Sequence, residues 1–511
     1  MVTGTAYGAS VLVRRDFLKS SALSAGVLAM GPAYWREALA AAPATPGRGP
    51  YGPLGPPDAN GIALPAGFSV RQIAAAGSPV AGTGYVWPLF PDGKATFTRP
   101  DGGWVLCVNS EVPVIGGASS ITFAAGGRIT GARRILAGTS TNCGGGATPW
   151  GTWLSCEEID QGRVWECDPL GLKPAVARPA MGVFTHEAAV VDPAGQRLYM
   201  TEDEGDGGFY RFTPTAYPDL GGGVLEIATP GTGGRVAWVR VPDPGAVSLA
   251  TRLQVPTSQK FRRGEGLWFD TGVVYFSTTS DDRIWAYDCA TELLELLYDG
   301  EAIGPDAPLR DPDQLNAHPS SGDLYVCEDA DDLQIVMITL EREVAPFLQL
   351  SGPLHQNGTE LAGTTFDPAG RRLYFSSQRG GLGGLTYEVT GPFREVLPRR
   401  PIVQVSAPAP LLLQAKPAVR LTTVRRDGLV VSVDADRKGT YALSVRARGV
   451  TVARGTLRAT GPGRRRVRLK PVRLGPAALR KLKGRRVVGQ VVVTQGKRRA
   501  TRPVTLTGPP A

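Results

Sequence analysis

An all-β fold is predicted by three features of this sequence: its glycine and proline content, its short apolar runs, and a pattern that recurs about every fifty residues. Of 511 residues, 66 are Gly and 43 are Pro, with 42% hydrophobic and 20% charged. Long helices and coiled coils do not suit that composition, whereas many short strands joined by turns do. The recurring element is a short apolar strand that a turn precedes and polar or acidic residues follow. It appears at Trp104–Val108, Trp153–Glu157, Leu198–Glu202, Val274–Thr278, Leu324–Glu328 and Leu373–Ser377, with starts 49, 45, 76, 50 and 49 residues apart. Several preceding turns are near copies: Asp192-Pro-Ala-Gly, Asp367-Pro-Ala-Gly and His318-Pro-Ser-Ser-Gly. Six such units, each with room for four strands, predict a six-bladed β-propeller with one long insertion from Tyr210 to about Phe261.

In a propeller, equivalent positions of successive blades converge on a central channel. About ten residues upstream of the repeated strands stand Cys143, Glu187, Glu265, Asn316 and Glu360, and at the strand ends stand Glu157-Glu158, Glu202-Asp203-Glu204, Asp281-Asp282 and Glu328-Asp329. So many carboxylates at one channel mouth require cations to neutralise them. With only three His in the chain, a histidine-built zinc or copper centre is not expected. Carboxylates with an amide oxygen suit Ca²⁺, and a thiolate among carboxylates suggests an iron-type metal beside it.

Of the six cysteines, Cys107, Cys156, Cys289 and Cys327 read as buried strand residues, while Cys143 lies among glycines in Asn142-Cys143-Gly144-Gly145-Gly146. No CxxC motif is present, and the sequence leaves any pairing open. At the N-terminus, Arg14-Arg15-Asp16-Phe17-Leu18-Lys19, a mildly apolar stretch and Ala38-Leu39-Ala40 resemble a twin-arginine export signal cleaved after about Ala40. That route carries folded proteins, which suits an enzyme loaded with metal before export. Beyond residue 40 no apolar run is long enough for a transmembrane helix.

The segment from Asn142-Cys143 through Thr148-Pro149-Trp150-Gly151-Thr152-Trp153 to Glu157-Glu158 resembles the signature of PhoX-type alkaline phosphatases. Phe184-Thr185-His186-Glu187 is similar to that family's Phe-Ser-His-Glu, and Arg263-Gly264-Glu265 to its Arg-x-Glu element. The resemblance runs from residue 14 to about 390. It implies a propeller whose channel holds an oxo-bridged iron pair and calcium ions, Ca²⁺ and Fe³⁺ being the expected cofactors. Cys143 would then ligate iron with Glu187 and Glu265. Arg263, with Asn142 beside it, would hold the phosphate of a small-molecule ester, and Glu157 or Glu158, Glu202 and Glu328 would be calcium ligands. The implied reaction is metal-assisted hydrolysis of a phosphate monoester by in-line attack of a bridging oxygen. Where the family pattern leads one to expect Asn-His-Glu after the first repeated strand, this chain has Asn109-Ser110-Glu111.

Two alternatives stay open at the level of sequence. One is a calcium-dependent lactonase-type propeller using Glu187, Asn316 and Glu360, and the other a non-catalytic binding propeller with structural calcium. Iron separates them from the phosphatase.

Charge divides the chain. Residues 401–511 hold 25 Lys+Arg against 3 Asp+Glu, while the first 400 hold 31 against 43. The basic segment alternates like strands at Val419–Val424, Gly428–Val433, Thr440–Arg446, Arg464–Leu469 and Val487–Thr494, with one short helix expected from Gly475. This predicts a small immunoglobulin-like β-sandwich. Its charge suits an anionic cell wall or another polyanion, but no stacking aromatics interleave the arginines and no specific nucleic-acid contact is expected. The expected organisation is a signal at 1–40, an extension at 41–65, the catalytic propeller at 66–397, a Pro-rich linker at 398–411 and the basic sandwich at 412–511, working as an exported monomer.

Overall fold

The computed structural model describes residues 43–395, apart from 271, 330, 331 and 357. Beyond these it describes 413–414, 418–420, 429–435, 439–447, 450–460, 463–474, 486–495 and 498–507. The export signal, the linker and the helix expected from Gly475 lie outside the described residues. The chain forms two compact units, 1–399 and 400–511.

The first unit is mostly β and, among the described residues, has six small sheets in chain order, antiparallel apart from the pairing of Thr45–Pro46. Sheet I begins at Pro91–Thr98, sheet II at Asn142–Ala147, sheet III at His186–Asp192, sheet IV at Gly264–Asp270, sheet V at Pro312–Ala317 and sheet VI at Leu361–Phe366. These first strands pack side by side in sequence, and the sixth returns to the first. The arrangement is propeller-like, with the first strands innermost. Each repeated apolar segment is the second strand of its sheet, as in Arg197–Glu202 of sheet III.

Alternation explains why the second strands are apolar throughout. Leu198 and Met200 enter one inter-sheet core while Tyr199 enters the next. Val274 and Phe276 likewise face one core, and Val273 and Tyr275 the other. Each second strand is therefore buried on both faces, because side chains alternate across a sheet that has neighbours on each side.

Two features depart from the sequence expectation. The segment from Tyr210 to Phe261 is not simply an insertion, since Phe209–Ala216 and Asp219–Pro230 are the third and fourth strands of sheet III itself. The extra length lies in a fifth strand, Val236–Arg240, and the loop after it. The second feature is closure by the N-terminal part of the chain: Ser69–Ala75 pairs with Leu385–Thr390 as the outer strand of sheet VI. Within the expected 41–65 extension, Thr45–Pro46 and Ile62–Ala63 pair with the outer strand of sheet V, Glu343–Leu350.

Among the described residues, the second unit has eight strands in one hydrogen-bonded path. In Gly439–Ala447, Tyr441, Leu443, Val445 and Ala447 are buried in alternation, giving this unit a core of its own.

Candidate active site and metal centre

A β-bulge interrupts the first strand of every sheet near its start, at Pro91/Lys94, Asn142/Gly145, His186/Ala189, Gly264/Leu267, Pro312/Leu315 and Ala362/Thr365. Bulges re-aim side chains where a ladder is broken. The second residue of each innermost strand falls at this break: Asp92, Cys143, Glu187, Glu265, Asp313 and, in sheet VI, Ala362. A second circle follows from the residue just after each second strand, namely Glu111, Glu158, Asp203, Thr279, Asp329 and Gln378. The backbone N–H of each donates to the carbonyl two residues ahead of the bulged position, on Phe90, Thr141, Thr185, Arg263, Asp311 and Glu360 respectively. Four of those acceptors, Phe90, Thr141, Arg263 and Asp311, hold positive φ. Left-handed backbone at non-glycine residues carries strain, and here it recurs around one ring.

Three groups of ligand atoms result, each with its members within 4.8 Å of one another: Cys143, Glu158 and Glu187; Glu187, Glu265 and Asp313; and Asp92, Glu111 and Glu360. Both carboxylate oxygens of Glu187, which belongs to two groups, are buried without a hydrogen-bond partner. Burial pushes the Glu187 carboxyl well above its ordinary range, and Glu265 and Glu158 push it the same way. Glu265, Asp313, Glu158 and Glu360 are likewise raised, burial being the largest cause in each. Glu111 is pushed up to about 7 by burial and then by Asp92. The Cys143 thiol is raised by burial, then by Asp92 and Glu187. A site that raises Glu111, Glu158, Glu187, Glu265, Asp313 and Glu360 together is built for added positive charge.

Neutral and cationic side chains position the acids. Gln314 and Gln378 donate to Asp92, Gln378 also to Glu111, and Thr279 donates to Glu265 at 2.7 Å. Lys94 is buried at the sheet I–VI seam, its Nζ donating to the carbonyls of Asp92 at 2.6 Å and Ala362 at 3.0 Å. Arg263 grips Asp203 with Nε and Nη2, each at 2.9 Å, and meets Glu265 at 3.1 Å. Arg379 meets Glu360 at 3.1 Å and Glu111 at 3.6 Å. Behind the ring, the innermost strands line a cavity of about 380 Å³ that includes Gly144, Gly266, Trp268 and Phe366.

Of the residues expected from sequence, the structure brings together Cys143, Glu158, Glu187, Glu265 and Glu360, with Arg263 beside them. It does not bring Glu157, Glu202 or Glu328 into these groups of acids and thiol. Asn142 precedes Cys143 and so faces the other way, donating to Ser155 and accepting from Thr139. Glu157, Glu202 and Glu328 end their second strands and face away from the circle that the next residue joins. Glu157 accepts from Ser140 N–H and Trp165, Glu202 from Gly208 N–H and Tyr210, and Glu328 from Arg310 and Gln334 N–H. Asn316 lies three residues past the sheet V ring position and donates to Thr365. Of the lactonase-type set, Glu187 and Glu360 fall in different groups.

Sequence reasoning missed Asp92, Glu111, Asp313 and Gln378. Asp92 and Asp313 each follow a proline, in Pro91-Asp92 and Pro312-Asp313, and lie 12 and 11 residues before their second strands, beside 10 for both Cys143 and Glu187. That shared register is the signal that marks them.

The family model of alkaline phosphatase PhoX matches residues 124–168 and 160–381. The chain belongs to the PhoX alkaline phosphatase family. The PhoX match contains Cys143, Glu158, Glu187, Glu265, Asp313 and Glu360 and begins after Asp92 and Glu111. Among curated protein sequences, none matches this chain. Solved structures with a similar backbone include a gluconolactonase of Xanthomonas campestris, at 13% identity over 67% of this chain and 98% of that one, TM-score 0.38. A calcium-binding regucalcin of Agrobacterium tumefaciens is 14% identical over 60% and 93%, TM-score 0.36. A luciferin-regenerating enzyme is 14% identical over 64% and 96%, TM-score 0.36. At that distance these likenesses carry no argument about this chain's activity.

Proposed function

We propose that this chain is an exported, metal-dependent phosphatase that hydrolyses phosphate monoesters at the carboxylate and thiolate ring of a six-bladed propeller. The observation that supports this reading most is Glu187, a buried acid with two unpartnered oxygens shared by two ligand groups. An isolated buried carboxylate costs several kcal/mol, so this arrangement makes sense with cations in place. Cys143, Glu158, Glu187, Glu265 and Asp313 mix a thiolate with carboxylates and suit iron, Fe³⁺ in the family resemblance. Asp92, Glu111 and Glu360 offer oxygen alone and suit Ca²⁺.

When bound, such cations supply Lewis-acid polarisation of the phosphate and activation of the attacking water. The chain's own residues do the positioning. Gln314 and Gln378 fix Asp92, Thr279 fixes Glu265, and the bulges turn all these acids into the channel. Arg263, whose side chain is 38% exposed, is the candidate for holding phosphate oxygens while it orders Asp203. No serine nucleophile is needed.

Export by the twin-arginine route and function as a monomer complete the proposal. The basic C-terminal unit is read as an immunoglobulin-like sandwich that contacts anionic polymers, a contact that should weaken with salt. The activity is tested by p-nitrophenyl phosphate hydrolysis before and after chelation and in Glu187→Gln. Hydrolysis that chelation removes, calcium and iron together restore, and the variant lacks is the expected result. Hydrolysis indifferent to chelator would defeat the proposal.

A further inference from the structure

We propose that the loop Gln378–Gly384 is the substrate subsite, with Arg379 joining Arg263 on the phosphate group and flanking leucines taking an apolar alcohol portion. This rests on the phosphatase reading and adds the substrate class to it.

Arg379 follows directly on Gln378, a member of the second circle, so its guanidinium stands at the ring. Its bonding leaves capacity. Nη1 donates to Glu360 at 3.1 Å and weakly to the Gly358 carbonyl at 3.5 Å. Nη2 is 3.6 Å from Glu111, beyond hydrogen-bond reach, and among the described residues Nε has no acceptor. Arg263, by contrast, commits both Nε and Nη2 to Asp203. A guanidinium that lies over the ring of Phe90, 5.4 Å from its centroid, and keeps Nε–H and Nη2–H unspent is set to grip phosphate oxygens with two parallel bonds.

The loop is a fixed ledge. The Gly381 N–H donates to the Leu354 carbonyl at 2.9 Å, and the Phe90 N–H to the Gly383 carbonyl at 2.8 Å. A Cβ on Gly383, whose φ is +119°, would meet Leu89 at 2.7 Å, so the loop lies against that leucine. Three exposed leucines belong to this loop or to the segments that meet it: Leu382 within it, exposed by 93%, Leu89 by 40% and Leu354 by 39%. An exposed apolar strip beside a charged anchor at a channel mouth marks a ligand site whose one end is anionic and whose other end is apolar.

The test uses the metal-loaded full chain, inorganic phosphate as competitive inhibitor and a series of n-alkyl phosphates from ethyl to octyl. Arg379→Gln should raise the inhibition constant of phosphate about 30-fold, the worth of a charge-assisted pair. Arg379→Lys should recover part of it, with metal content and melting temperature unchanged in both. In the wild type, kcat/KM should rise roughly twofold to fourfold per added methylene until the strip is covered, and Leu382→Ser should flatten that rise. Unchanged phosphate inhibition in Arg379→Gln overturns the phosphate assignment, and a flat alkyl series in an active wild type overturns the apolar one. A wild type that neither hydrolyses esters nor binds phosphate overturns the phosphatase reading itself.

Discussion

Cys143 and Glu187 come from neighbouring sheets, yet their ligand atoms lie within 4.8 Å of each other, each turned inward by the bulge in its own strand. Glu187 in turn lies within 4.8 Å of Glu265 from the next sheet. Cys143→Ser should therefore lower retained iron by about tenfold or more while calcium stays bound, because the hydroxyl keeps the shape and loses the soft anionic ligand. Elemental analysis of the two purified proteins checks it, and equal iron in both would remove the thiol from the centre.

Chelation should reverse the pH dependence of stability expected of a carboxylate-rich protein. Glu158, Glu187, Glu265, Asp313, Glu360 and Glu111 have folded pKa values above their unfolded ones, Glu111 reaching about 7. The folded chain then holds more protons than the unfolded chain above about pH 4.5, so stability is lost as pH rises through the folded values. The melting temperature of chelated protein should fall between pH 5 and pH 8, and added cations should restore it at pH 8. In chelator at pH 8, Glu187→Gln should melt about 2 °C or more above the wild type, since a buried like charge is gone. With metal present the order should invert.

At Gly144, beside the ring, the innermost strands of sheets II and III approach closely. A Cβ there would collide with the Glu187 carbonyl oxygen and its Oε1. Gly144→Ala should cost about 1–3 kcal/mol of stability as the backbone gives way, and should displace Glu187 enough to reduce bound metal. Thermal melting with metal analysis separates this from a neutral surface change.

Closure by Ser69–Ala75 gives a prediction remote from the site. Ile73 is 6% exposed and belongs to the core shared with Trp87, Trp104 and Tyr374. Ile73→Ala should cost about 2–4 kcal/mol and shorten the protein's lifetime under protease. An undisturbed melting temperature would show that this strand does not hold the ends together.

The second strands were legible in sequence because burial on both faces makes them apolar runs, and their spacing gave the repeat count of six. The innermost strands were not, being interrupted by bulges and mixing buried polar with apolar residues, so they show no period of two. Cys143, Glu187 and Glu265 were reached through their place about ten residues upstream of the repeated strands, and the motif resemblance gave them their roles as ligands. Asp92 and Asp313 have no such motif and emerged only when register aligned them. The choice among Glu157, Glu158, Glu202 and Asp203 turned on one residue of strand alternation, which decides whether an acid faces the channel or the adjoining loop. Ser69–Ala75 was missed as a strand of sheet VI because its partner lies more than three hundred residues away.

The central claim is that the ring of Cys143, Glu158, Glu187, Glu265 and Asp313 holds catalytic metal. The most direct measurement is metal content by mass spectrometry on protein purified from an iron-replete host, with p-nitrophenyl phosphate hydrolysis assayed on the same sample. Iron near two per chain with calcium beside it, and phosphate release that Cys143→Ala abolishes, is the predicted result. Calcium alone, with no phosphate release and no effect of the variant, would contradict the account.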